Sequence, residues 1–136
     1  MDIYLDIDGV LLANDAQPAL HVHEFLEHVT GNYQAHWLTT HCQGDAAVTR
    51  KHLSRFLIPK TMQLLDGIHA TTWSALKTEA IDFSQPFLWF DDDLFLGERE
   101  VLARKGVLEN WIEVDLAKDP HALQKFLYDF PLPISP

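Results

Sequence analysis

The stretch IYLDIDGVLL, residues 3–12, decides the fold. An apolar run ends on Asp6 and Asp8, one residue apart; Gly9 follows at once, and then a second apolar run. A short apolar run bounded by turn residues reads as a buried strand. Two carboxylates at its end repel each other, and each loses hydration beside a buried strand. A cation would offset that cost, so its other ligands should sit at comparable places elsewhere in the chain.

Working outward, the pattern predicts strands over 2–7, 35–40, 86–93 and 110–116. Between them, apolar residues recur at helical spacing. Leu20, Phe25, Leu26 and Val29 predict a helix over 19–29, stopped by Gly31 and Asn32. A helix over 44–57 has Asp45 as its N-cap and Pro59 beyond its end. Further helices are expected over 73–81, with Ser74 near the start, over 97–107, and over 119–130, with Pro120 in the first turn. Residues 11–19 read as a loop, and 61–67 as a short strand or extended segment.

Alternating strands and helices imply an α/β fold: a single Rossmann-like three-layer α/β/α domain with a mainly parallel sheet, over 1–130, followed by a tail at 131–136. A chain of 136 residues suits one core and not two. In such folds ligands bind at the carboxyl ends of the strands. Asp6 and Asp8, Thr39 and Thr40, and Asp91, Asp92 and Asp93 all fall at or just past predicted strand ends. Polar groups at three strand ends on one edge of a sheet make a site.

Composition sets limits. The net charge of −10 disfavours non-specific binding to nucleic acid or anionic membranes, both polyanions. Cys42 is the single cysteine, which excludes an internal disulfide and fits a reducing compartment. With no basic-then-apolar leader and no apolar run near the ~20 residues that span a bilayer, the expectation is a cytoplasmic protein without a membrane partner.

Four pieces, in order, resemble the motifs of the haloacid dehalogenase-like superfamily of hydrolases and phosphotransferases. LDIDGVL resembles the first, an apolar strand followed by Asp-x-Asp-Gly. HWLTT resembles the second, a strand ending in Ser or Thr. Lys77 in SALKTEA resembles the third, a lysine on a helix, and FLWFDDD the fourth, a strand ending in paired acids. The resemblance implies that Asp6 is the nucleophile toward phosphorus and Asp8 the general acid and base. It also implies that Lys77 and the hydroxyl of Thr39 face the phosphoryl charge. Magnesium, which prefers hard oxygen ligands, would be held by Asp6, the backbone carbonyl of Asp8, and one acid of the last run. Asp92 leads, Asp91 follows, and Asp93 is the weaker candidate. Thr39 is the better match of the two threonines, although Thr40 is not separated from it by sequence.

The resemblance therefore implies a magnesium-dependent phosphate monoester hydrolase or phosphotransferase working through an aspartyl-phosphate. About thirty residues separate the first motif from the second and under forty the second from the third, which leaves no room for a cap domain. An uncapped site suits large phosphorylated substrates; alternatively a partner protein or the loop 11–19 serves as lid. WLTTH, LKTEAI and FLWFDDD further resemble small domains of this superfamily in bacterial RNA-repair proteins, implying nucleotides or phosphorylated nucleic-acid ends as substrates. His41 stands where those domains commonly carry Trp. The alternative is a catalytically silent or partner-dependent domain that binds phosphate or magnesium and serves an interaction role. Retention of all four motif residues argues against it.

Read singly, Asp-Gly is turn chemistry, a strand-end threonine bonds to backbone, and a helix lysine is solvated. The ordered set outweighs those readings. Of the eight histidines, only His41 is expected near the site; His21 and His23 do not share a helix face, which disfavours zinc there. Trp37, Trp73, Trp89 and Trp111 read as core, and Asp66 and Asp115 as turn or surface residues.

Overall fold

A computed structural model describes residues 1–133. Four strands, β1 (Asp2–Leu5), β2 (Gln34–Trp37), β3 (Phe87–Asp91) and β4 (Trp111–Glu113), form one all-parallel sheet in the order β2-β1-β3-β4. Among the described residues, five α-helices accompany them: α1 (Val22–Asn32), α2 (Ala46–Leu53), α3 (Pro59–Met62), α4 (Leu96–Arg104) and α5 (Ala122–Tyr128). The α/β expectation holds. Among the described residues, no helix is long and apolar enough to cross a membrane. Of the expected tail, residues 134–136 lie outside the described residues.

Side chains alternate across a strand, and here the two faces feed two separate cores. Ile3, Leu5, Leu88 and Phe90 join Phe25, Leu26 and Val29 of α1 and Leu123 of α5 on one face. Tyr4, Phe87 and Trp89 join Leu102 of α4 on the other. Both faces are covered, which explains why β3 is buried at all five positions and lacks polar alternation.

The chain runs from β1 to β2 on one side, then crosses back to place β3 on the other side of β1. That reversal makes the carboxyl ends of β1 and β3 the switch point, where an open parallel sheet leaves a crevice. Leu5 pairs with Phe90, and the amide of Asp6 donates to the Phe90 carbonyl at 3.1 Å. Asp6 and Asp91 thus emerge side by side.

Several elements differ from the expectation. Residues 61–67 are not extended: Pro59 starts α3, and a 3-10 turn follows over Gln63–Gly67. The extended pairing comes just after, where the His69 amide bonds to Ala35 and its carbonyl to Trp37. Residues 73–81 form no α-helix, only a 3-10 turn over Lys77–Ala80. Its apolar residues match helical spacing, but the Glu79 carboxylate collects the amides of Ala75 and Leu76 at 2.9 and 2.6 Å and fixes a turn instead. α1 begins at Val22, not 19, because His21 adopts a left-handed φ of 65°. Pro120 lies in the turn before α5, not within its first turn.

Candidate active site

Residues 6–12 make a tight loop. The amides of Val10, Leu11 and Leu12 all converge on the Ile7 carbonyl, and Ile7, Val10, Leu11 and Leu12 are fully buried. The apolar anchor holds the loop rigid, so the acids on it have fixed places. Gly9 is required twice over: its φ is +82°, and a Cβ there would lie 2.3 Å from Oδ2 of Asp92. Gly9 therefore lets the β1 loop approach the β3 loop.

Asp6 is buried, with 7% of its surface exposed. Lys77 reaches it from the 3-10 turn, with Nζ 3.5 Å from Asp6 Oδ1 and 2.8 Å from Asp91 Oδ2. Burial alone would lower the Lys77 pKa, but the charges of Asp6 and Asp91 and the bond to Asp91 hold it above its ordinary value. The ammonium is thus fixed and charged between two carboxylates.

Asp91 is saturated. Its Oδ1 accepts the amides of Asp92 and Asp93 at 2.8 and 3.2 Å; its Oδ2 accepts Lys77 and the Trp89 indole, the latter at 3.1 Å. Burial and the Asp6 charge push it up to about 6, against the pull of Lys77. Asp92 is more open, but its carboxylate packs against Gly9 and Asp91. That burial, with the hydrogen bond to and charge of Asp91, pushes it up to about 6 as well. Asp6, Asp91 and Asp92 each place one carboxylate oxygen within 4.8 Å of the others. One lysine does not neutralise three acids, and a hard divalent cation fits the deficit.

Asp8 points outward, its side chain 67% exposed, and its Oδ2 lies 2.7 Å from Nε2 of His41. His41 stacks on His52 of α2 with ring centroids 4.0 Å apart. Burial, then the neighbouring His41, lowers the His52 pKa. Thr39 is fully buried, and its Oγ1 accepts the His41 amide at 3.3 Å. Thr40 is the threonine that lines the cleft. Asp93 lines it too.

The cleft, about 240 Å³, brings together Asp6, Asp8, Lys77, Asp91 and Asp92. A larger depression of about 680 Å³ sits beside Asp2, Tyr4, Gln34 and His36, and carries none of these residues. Three further residues of the cleft escaped sequence reading. Trp73, assigned to the core, packs against the second core and also lines the cleft, as does the exposed Phe95. Glu98, only 2% exposed, accepts the Lys77 amide at 2.8 Å and the Phe95 amide at 3.0 Å. It ties the lysine turn to the start of α4. Its place three residues after the N-cap of α4 is a capping-box signal, muted because Phe95 stands where Ser or Thr would mark it. Trp37 and Trp89 are core, as expected.

No family model, curated protein or solved structure matches the chain.

Proposed function

We propose that this cleft hydrolyses or transfers phosphate monoesters in the manner of the haloacid dehalogenase-like superfamily, with Asp6 as nucleophile. One observation carries the reading: a buried carboxylate at the sheet's switch point, paired with a fixed lysine, with a second carboxylate two residues on. A nucleophilic carboxylate needs an adjacent cation to draw in the anionic substrate and spread phosphoryl charge; Lys77 serves that role. Asp8 stands exposed at the mouth of the cleft, within reach of water, as a group must that protonates a leaving oxygen and then activates water. The Thr39 hydroxyl is occupied inside the loop, so Thr40 is the threonine with access to substrate.

Magnesium would be held by Asp6 and Asp92 with the Asp8 carbonyl, since Asp91 already accepts four donors. When bound it would neutralise phosphoryl oxygens and orient the ester. Trp73 and Phe95 flank the cleft and favour substrates with a flat aromatic part, so nucleotides or nucleic-acid ends lead as the substrate class. The net charge of −10 confines any such contact to the cleft itself.

The test is hydrolysis of p-nitrophenyl phosphate and of nucleoside monophosphates, with and without magnesium, beside Asp6→Asn. Magnesium-dependent turnover lost in the variant supports the reading. Equal rates in both proteins refute Asp6 as nucleophile. Magnesium binding without turnover on any ester would favour the silent binding domain.

A further inference from the structure

An acid and base at the mouth of a cleft needs a fixed direction. The Asp8 side chain is 67% exposed, and an exposed side chain changes rotamer quickly unless it is held. Misplacing a reacting group by about 1 Å can cost about a hundredfold in rate. Beside Asp8 stands His41, with its Nε2 2.7 Å from Asp8 Oδ2.

His41 is held by its amide, its carbonyl and its ring. The amide donates to Thr39 Oγ1 at 3.3 Å, and the carbonyl accepts the hydroxyl of Thr49 at 3.2 Å. Thr39 and Thr49 are both fully buried, so the anchors belong to the packed interior. The His41 ring lies on that of His52, with centroids 4.0 Å apart and planes within 13° of parallel. Phe56 braces His52 edge-on at 5.5 Å. The bond to Thr49 ties the loop after β2 to α2, which carries His52 one turn further on. The contact that fixes the His41 backbone thus also places the surface on which its ring rests.

A carboxylate only accepts hydrogen bonds, so Nε2 donates to Oδ2. When the other oxygen, Oδ1, is protonated, Oδ2 still accepts, and the same bond serves both forms of Asp8. His41 keeps its proton throughout. Asp8 lines the cleft, whereas His41 stands behind it, outside the lining.

We propose that His41 is a positioning residue for Asp8: its Nε2–H holds Oδ2 and leaves Oδ1 as the oxygen that carries the proton. The inference rests on the phosphoryl-transfer reading above. As an Asp6 oxygen bonds to phosphorus and the ester P–O bond breaks, the Oδ1 proton passes to the leaving oxygen. Oδ1 then takes a proton from the water whose oxygen attacks phosphorus, which frees inorganic phosphate and the Asp6 carboxylate. His52 acts one place further out, through the ring it supports.

The experiment compares kcat/KM, which reports departure of the leaving group, for p-nitrophenyl phosphate and phenyl phosphate in saturating magnesium. The two esters have nearly the same shape. p-Nitrophenolate departs with little help from a proton, whereas phenolate depends on one. His41→Phe keeps a ring on His52 and removes the donor. It should lose about tenfold or more on phenyl phosphate and under about threefold on p-nitrophenyl phosphate. His41→Gln, whose amide nitrogen reaches the place of Nε2, should recover most of that loss. Misfolding lowers both esters alike and cannot produce the split. Turnover in the wild type with equal losses on both esters, or with no loss in His41→Phe, overturns this inference alone. A wild type silent on every ester fails the phosphatase reading, and the role of His41 falls with it.

Discussion

Replacing Gly9 with alanine tests whether the close approach of the two acidic loops is what the site depends on. At φ +82° an added Cβ costs about 1–2 kcal/mol in backbone strain, partly offset by about 0.4–1 kcal/mol from a less flexible unfolded chain. Gly106, at φ +71°, carries the same strain with nothing within 4 Å of its would-be Cβ. Gly106→Ala is thus the control for backbone strain alone, at about 1 kcal/mol. At Gly9 the new atom would also meet Asp92 Oδ2, Cγ and Cβ at 2.3, 2.6 and 2.8 Å. Rotating the carboxylate clears the first two contacts but not the third, so the β3 loop itself must move. Overpacking of this kind adds about 1–3 kcal/mol. Gly9→Ala should therefore unfold at lower urea than Gly106→Ala, by a difference of about 1–3 kcal/mol, and bind magnesium more weakly. In an Asp92→Gly background all three contacts vanish, and the cost at Gly9 should fall to that at Gly106. Equal costs for Gly9→Ala and Gly106→Ala in the parent protein would refute the packing argument.

Lys77→Met should destabilise the fold by about 3 kcal/mol in urea unfolding, because it leaves two buried carboxylates without their cation; a loss under 1 kcal/mol would mean that water already screens them. Glu98→Ala should release the Lys77 turn and expose two amides, at about 2 kcal/mol, and amide exchange at Lys77 and Phe95 should quicken while β1 stays protected. Asp91 and Asp92 are held near 6, above their ordinary 3.8, so the folded state binds more protons than the unfolded chain between those values. Their contribution is fully present below 3.8 and lost as pH rises through about 6. Metal-free protein should thus lose stability relative to Asp92→Asn as pH climbs from 4 to 7, and magnesium should remove the difference; parallel pH profiles would contradict it.

The sheet was legible because its strands announce themselves: FLWF running into acids can be buried on both faces and little else. The ends of β1 and β3 then follow from the switch-point rule, so the sequence alone brings Asp6, Asp8, Asp91 and Asp92 together. The turn around Lys77 was not legible. Helical spacing over 73–81 is met by eye, while the competing carboxylate of Glu79 acts through backbone amides that a pattern of side chains does not display. Glu98 was missed because an acid in a helix is normally solvated, and only the meeting of two loops buries it. Trp73 was half right, since an indole can pack on one side and wall a cleft on the other. Thr39 and Thr40 are adjacent and chemically alike; which one faces the cleft depends on the turn that follows β2.

The central place of β1 also sets an order of assembly. Its neighbour β2 arrives after a single helix, so β1, α1 and β2 can form early through local contacts. Its other neighbour, β3, begins at Phe87, and the chain closure it requires is far longer. Until that strand docks, Asp6 has neither Lys77 nor Asp91 beside it, and the flank of β1 is an open edge. Contact order thus predicts that the constellation at the switch point assembles after the β1–α1–β2 unit. A refolding experiment that follows both far-ultraviolet ellipticity and metal binding should show the first signal rising ahead of the second.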